Sequence, residues 1–229
     1  MWYKRCHASS LSRYYSNEVH QLIVCVSKHL YATKTGLIKH QQKSFDLSLA
    51  KVDKTEKEHV VHYLIRDHFS GVFYAEIHSS KALIPVEEFL FRAWSPKQDY
   101  PFHGMPECIL VPKTVSDRFP SINRLIREYD IAPIEVTSGF QSGTIQDVKA
   151  WESHVRQLSN LGTLSDILQW QAEILQKWTP VECAKETAWL NNGLSNRDSK
   201  IEKWRDRVTE IRVPPSQGWQ NKAPARAHP

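Results

Sequence analysis

Carboxylates are the side chains with which this chain could do metal-assisted chemistry. Asp53 stands in the stretch Val52-Asp53-Lys54-Thr55. Two divalent cations acting on a phosphoryl group need several such acids, because carboxylates supply hard oxygen ligands and offset the metal charge. Asp117, Asp147 and Glu152 are the other acids to weigh with Asp53. Nucleophilic chemistry has weaker support. His68 beside Asp67 could form an acid–base pair, but no Ser or Cys is placed by the sequence to use it. His62 lies inside an alternating run and is expected to pack within a sheet. The cysteines Cys6, Cys25, Cys108 and Cys183 are far apart and form no CxxC pair. Cys6 and Cys25 with His7, His20, His29 and His40 lack the spacing of a zinc site, and reduced thiols are expected.

These residues must be positioned by a fold of 229 residues, enough for one domain or two small ones. A hydrophobic share of 41% and a charged share of 24% fit a folded, soluble chain rather than a disordered one. No apolar run is long enough to span a membrane. The basic opening Met1 to His7 has no apolar run of signal-peptide length behind it, so a cytoplasmic protein is expected. The formal charge of +5 and pI of about 9.0 suit nucleic acid or an acidic partner.

Periodicity divides the chain. Residues 1 to 44 read as a helical N-terminal segment. A helix is expected over Tyr15 to Tyr31, capped by Ser16, with Val19, Leu22, Ile23, Val26 and Leu30 on one face. A short helix or turn follows over Ile38 to Gln42. Strands are expected at Ser48 to Val52, Val60 to Arg66 and Gly71 to Ile77, the last two as an antiparallel hairpin. A helix over Pro85 to Trp94 puts Leu83, Val86, Phe89, Leu90 and Ala93 toward the sheet. A buried strand at Cys108 to Val111, a helix capped at Ser116 or Asp117 and reaching Tyr129, a strand at Ala132 to Val136 and a long helix from Thr144 to Leu158 complete the pattern. Ile145, Val148, Trp151 and Val155 mark the apolar face of that last helix. Residues 159 to 212 read as a helical C-terminal extension, with helices over Asp166 to Trp178, Val181 to Leu190 and Lys200 to Val208. Residues 213 to 229 read as a disordered tail.

The element order and three short motifs together resemble the catalytic core of retroviral and transposon integrases. Val52-Asp53-Lys54-Thr55 is similar to that family's D-x-T on the first strand. Arg66-Asp67-His68-Phe69-Ser70-Gly71 is similar to its D-x-x-S after the second, and Thr179-Pro180-Val181-Glu182 to a closing T-P-x-E. The resemblance covers a little over half of the chain. It implies an α/β, ribonuclease-H-like mixed five-stranded sheet flanked by helices, with the core over residues 45 to 158. It also implies three metal-holding carboxylates. Asp53 would be the first. The second is expected after the fourth strand, where Pro112 and Lys113 stand. The third is expected near the start of the long helix, where Gly143-Thr144-Ile145-Gln146 carries Gln146. Asp147 is one helical position away, about 100° around the axis, and Glu152 nearly two turns on, where it reads as a solvated residue.

A non-catalytic integrase-like protein is therefore expected, with Asp53 a remnant and no cofactor. It would bind DNA or a protein partner in a mobile-element, phage or defence context. The resemblance also implies a homodimer. Phosphate contacts are expected from Lys39, Lys43, Lys113, Lys149, Lys200, Lys203, Arg205 and Arg207. Glu202, Asp206 and Glu210 interleave with the last four, so a salt-bridged, solvated helix accounts for them equally well. Two alternatives stay open: a Mg- or Mn-dependent nuclease or strand-transfer enzyme with rearranged acids, Asp147 and Glu152 among them, and a protein–protein scaffold without nucleic acid.

Overall fold

The computed structural model describes residues 15–97, 102–134 and 142–159, together with Thr163, Asp166, Arg212 and Pro214. The helices expected beyond residue 166 and the tail lie outside the described residues. Among the described residues, six strands form one sheet. Strand β1 runs over Val19–Ala32, β2 over Ile38–His40, β3 over Glu58–Asp67, β4 over Phe73–Ser79, β5 over Cys108–Leu110 and β6 over Ala132–Ile134. The order is β4-β3-β1-β5-β6, with β2 paired to β1. The β4-β3-β1 half is antiparallel and the β1-β5-β6 half is parallel. This is a mixed, ribonuclease-H-like sheet flanked by helices, with six strands where five were expected.

The helix expected over Tyr15 to Tyr31 is the central strand β1. Its apolar residues satisfy a helical period, but strands lie on both sides of β1 and both its faces are covered. A strand in that position reads as a near-continuous apolar run. Val19, Ile23, Val24 and Val26 are β-branched, which favours the extended chain. A bulge interrupts the β1–β3 register between Val26 and Tyr31. There the Ser27 hydroxyl accepts from the Leu30 amide at 2.8 Å and itself donates to Glu152. The short helix expected near Ile38 is strand β2. It turns back on β1 through Gly36, whose φ of +80° favours glycine.

The strand expected at Ser48 to Val52 is a 3-10 helix, Leu49–Lys54. Leu49 and Val52 are buried. Their i, i+3 spacing stacks them on one side of a three-residue turn and sends Asp53 to the other. The expected β3–β4 hairpin is present. Helix α1 spans Val86–Trp94 and buries Val86, Phe89, Leu90 and Ala93, as expected. The helix expected from Ser116 to Tyr129 is two: α2 over Lys113–Arg118 and α3 over Ile122–Glu128. Pro120 has no N–H to continue the ladder and separates them. Asp117 falls in the last turn of α2, exposed, and caps nothing. Helix α4 spans Ser142–Ser159. Val148, Trp151 and Val155 are buried, whereas Ile145 is 45% exposed.

The two long helices cover opposite faces. Trp94 of α1 donates to His20, and Thr144 of α4 donates to Gln21. His20 and Gln21 are consecutive on β1, so their side chains leave the sheet on opposite sides.

Candidate functional site

Strand β1 is the first strand of the sheet, and β5 runs parallel beside it, Gln21 against Leu110. The integrase resemblance places its three acids at the central strand, just after the neighbouring parallel strand, and near the start of the long helix. In this chain those places are held by Gln21, by Pro112 and by the first turns of α4.

Gln21 is 1% exposed. Its Oε1 accepts from Arg66 Nη1 and from Thr144 Oγ1, both at 3.1 Å. Arg66 comes from β3, directly across the ladder from Gln21. Its Nε lies 2.6 Å from Asp147 Oδ2, with side chains 17% and 11% exposed. The Nε–H is not aimed along that contact, so the pair is held by charge more than by hydrogen-bond geometry. A Cβ on Gly143 would lie 3.0 Å from the Arg66 Cζ, so glycine at this point lets the guanidinium lie against the start of α4. One cation therefore links β1, β3 and α4.

Sequence reasoning missed Gln21, Arg66 and Thr144. The available signal was the polar pair His20-Gln21 inside the apolar run Val19 to Val26, masked by the helical reading of that run. It also placed the acids of α4 wrongly. Gln146 is exposed, while Asp147 is buried and turned toward the sheet. Glu152 is not solvated. It accepts from the Ser27 hydroxyl and from the His29 amide at 3.3 Å. Burial alone would raise its pKa, but His62, Ser27 and the His29 amide outweigh that and hold it down to about 2. His62 is fully buried, as expected. Its Nε2 lies 3.9 Å from Glu152 Oε1, beyond hydrogen-bond reach.

Asp53 lies on the 3-10 helix Leu49–Lys54. Its side chain is 52% exposed and pairs with Arg118, Oδ2 to Nη1 at 2.6 Å and Oδ1 to Nη2 at 2.9 Å. Pro112 precedes α2, where its carbonyl accepts from the Val115 amide at 2.8 Å, and Lys113 is exposed on the first turn. Lys39, Lys43 and Lys149 are exposed as well. Lys200, Lys203, Arg205 and Arg207 lie outside the described residues. Asp67 meets Ser70. It accepts from the Ser70 amide at 2.7 Å, from its hydroxyl, and from the Asn17 amide at 2.9 Å, and so closes the turn after β3.

The residues present do not fit a pair of divalent cations. The position where metals would lie holds a guanidinium, an amide and one carboxylate already paired to that guanidinium. Like charges in a buried site repel strongly. Among the described residues no group of three or more His, Cys, Asp or Glu side chains is gathered as a ligand set. None of the described helices is long and apolar enough to cross a membrane.

No family model matches the chain, and no curated protein matches it. Among solved structures it is similar to the HTLV-2 integrase catalytic core domain in complex with magnesium. The identity is 12% and the TM-score 0.39, over 80% of this chain and 98% of that one. It is also similar to a simian T-cell lymphotropic virus intasome in complex with PP2A regulatory subunit B56 gamma, at 13% identity and TM-score 0.41. That match covers 98% of this chain but 65% of the other. The ribonuclease-H-like assignment of the fold follows from the strand order and register.

Proposed function

We propose that this chain is a non-catalytic integrase-like protein that acts by binding nucleic acid, within the machinery of a mobile element, phage or defence system. The observation that carries this reading is Arg66. It fills the strand-end site with a cation and neutralises Asp147, the one acid of α4 that turns toward it. A net charge of +5 and the exposed Lys39, Lys43, Lys113 and Lys149 support a phosphate-backbone ligand. A homodimer and a protein partner from the same genetic system belong to the same proposal.

Two measurements test it together. Binding of a labelled DNA duplex should weaken steeply as salt rises, because phosphate contacts release counterions. Incubation of the same duplex with Mg²⁺ or Mn²⁺ should give no cleavage or strand transfer. Metal-dependent nicking that disappears in Asp147→Asn would overturn the non-catalytic reading in favour of a nuclease with rearranged ligands. That second reading is kept because Asp147, unlike Gln146, lies at the site.

A further inference from the structure

The chain's surplus charge sits in one place. Between Val19 and Phe45 there is no Asp or Glu, and Lys28, Lys34, Lys39 and Lys43 give this stretch a formal charge of +4 out of the chain's +5. The remaining residues hold 26 Lys and Arg (30 minus 4) against all 25 Asp and Glu, and so nearly balance. The acid-free stretch comprises β1, β2 and the start of the loop after them. Strand β2 stands off the β4-β3-β1-β5-β6 path and pairs with the end of β1, Leu30 against His40 and Ala32 against Ile38. All four lysines are exposed.

Local bonds gather these cations at one end of the sheet. The Thr33 amide donates to the Leu37 carbonyl and the Gly36 amide to the Thr33 carbonyl, both at 2.9 Å, which closes the turn that carries Lys34. The Phe45 amide donates to the Lys28 carbonyl at 2.7 Å and the Gln41 amide to the His29 carbonyl at 2.9 Å, so the loop with Lys43 is laid beside Lys28. Helix α4 packs against β2. The His29 and His40 rings stack at this junction, 5.6 Å apart. Burial, Arg156 of α4 and His29 together hold the His40 pKa below 6.5, while Glu152 works the other way. The Glu152 carboxylate is already engaged by the Ser27 hydroxyl and the His29 amide. The field at this end of the sheet is therefore positive.

We propose that the β1–β2 hairpin, with Arg156 beside it, is the surface that holds the phosphate backbone of a nucleic acid. The proposal rests on the nucleic-acid reading above and names the part of the molecule that makes the contact. A surface of one sign suits a polyanion whose charges are also of one sign, and duplex DNA carries about one per 1.7 Å of its axis. A folded protein partner presents both signs, and acids interleaved with the lysines would be needed to meet its cations. The hairpin lies at the far end of β1 from Gln21 and its ladder partner Arg66. Gln21 and Ala32 are 11 positions apart (32 minus 21), roughly 35 Å of extended chain. The hairpin's contacts therefore do not depend on what occupies the strand-end site.

The test uses the full chain, a labelled DNA duplex and a salt titration. Lys34→Gln, Lys39→Gln and Lys43→Gln together remove three exposed charges from the hairpin. This variant should flatten the fall of log K with log salt by roughly 2.7 and weaken binding at low salt by at least about 10-fold. Lys51→Gln, Arg124→Gln and Arg127→Gln together remove the same charge from exposed positions on the 3-10 helix and α3, and should change affinity by less than about 3-fold. Circular dichroism melting checks that both variants are folded. An unchanged slope in the hairpin variant, or equal losses in the two variants, would overturn the hairpin proposal while leaving the nucleic-acid reading standing. Displacement of the duplex by poly-glutamate at equal charge concentration would assign the hairpin to an acidic protein and overturn the proposal as well. Absence of binding between wild type and the duplex would overturn both.

Discussion

On the α1 face of the sheet, Glu76 is 4% exposed and fully engaged. It accepts from Tyr74 at 2.7 Å, from His78 at 2.8 Å and from Arg92 Nε and Nη2 at 3.0 and 2.8 Å. On the α4 face, Arg66 divides its guanidinium between Gln21 and Asp147, and the closer of those contacts is poorly aimed. Both are ion pairs between a strand and a helix in which the carboxylate is largely buried. The first has its carboxylate saturated with donors, as a structural pair requires. The second lies at the end of the central strands, where integrase-type chemistry would gather acids around metals. There this chain has fewer acids and its own cation. Similar residue types thus fasten a helix on each face, and in the function proposed above the α4 pair also takes the place of a metal centre.

The largest expected effect comes from the saturated pair. Glu76→Ala would leave Arg92 without its main partner. Breaking a buried pair costs about 3–5 kcal/mol when both ends are buried, and because Arg92 is 40% exposed about 2–3 kcal/mol is expected in urea denaturation. Burial tends to raise the Glu76 pKa, but His78, Arg92 and Tyr74 outweigh it and hold it below the ordinary 4.5. A carboxyl held lower in the folded than in the unfolded state stabilises above the unfolded pKa and loses that contribution as pH falls through the folded one. The acid limb of wild type should therefore be steeper than that of Glu76→Gln. Identical limbs would mean that Glu76 is not held in its ionised form.

The α4 pair should respond more weakly and in a different way. Arg66→Met leaves Asp147 without its cation, at a cost of about 1–3 kcal/mol. Adding Asp147→Leu should recover most of that loss, since an apolar pair of similar volume replaces a buried ion pair at little cost. If the guanidinium stands where a metal would, Mn²⁺ should raise the Tm of Arg66→Met and leave wild type and Glu76→Ala unchanged. A rise in wild type would mean that Arg66 does not keep a divalent cation out of the strand-end site.

His20, between these two regions on β1, sharpens the comparison by pH. It is fully buried, with Trp94 Nε1 donating to its Nδ1 at 3.2 Å and its Nε2–H donating to the Asn17 Oδ1 at 2.9 Å. Burial pushes its pKa from 6.5 down to about 3. The unfolded chain then binds a proton that the folded chain refuses, so stability falls as pH drops from about 6.5 toward 3. His20→Asn should flatten that part of the Tm–pH curve, by less than the effect of either ion-pair variant.

Much of the sheet was legible because its pieces are short and sharply bounded. The β3–β4 hairpin, α1, β5, β6 and α4 all follow from alternation, a Pro boundary or a clear apolar face. The site was not legible, for one reason with two consequences. A central strand covered on both faces loses its alternation, so Val19 to Val26 reads as a helix and Gln21 as one of that helix's incidental polar residues. Once β1 was missed, the first-strand position passed to Asp53, which sits in a motif of the right letters on a 3-10 turn. On α4, periodicity placed Val148, Trp151 and Val155 correctly, but it cannot fix a side chain in the first turn. Asp147 is drawn inward by Arg66, a partner 81 positions away in sequence (147 minus 66).

Asp53 supplies the smallest expected effect and the sharpest contrast with the strand-end site. Its pair with Arg118 has ideal distances, 2.6 and 2.9 Å, yet the side chains are 52% and 33% exposed. Water screens such a pair and the two side chains lose rotamer freedom to hold it, so Asp53→Ala should cost less than about 1 kcal/mol. Raising the salt concentration should erase even that, because exposed charges are screened within about a Debye length. Nucleic-acid binding should not change beyond the slight gain from removing one negative charge. A loss above about 2 kcal/mol, or a metal-dependent Tm shift abolished by Asp53→Ala, would return Asp53 to the candidate site. The geometry of the 3-10 turn opposes that, since it directs Leu49 and Val52 into the core and leaves Asp53 facing Arg118 and solvent.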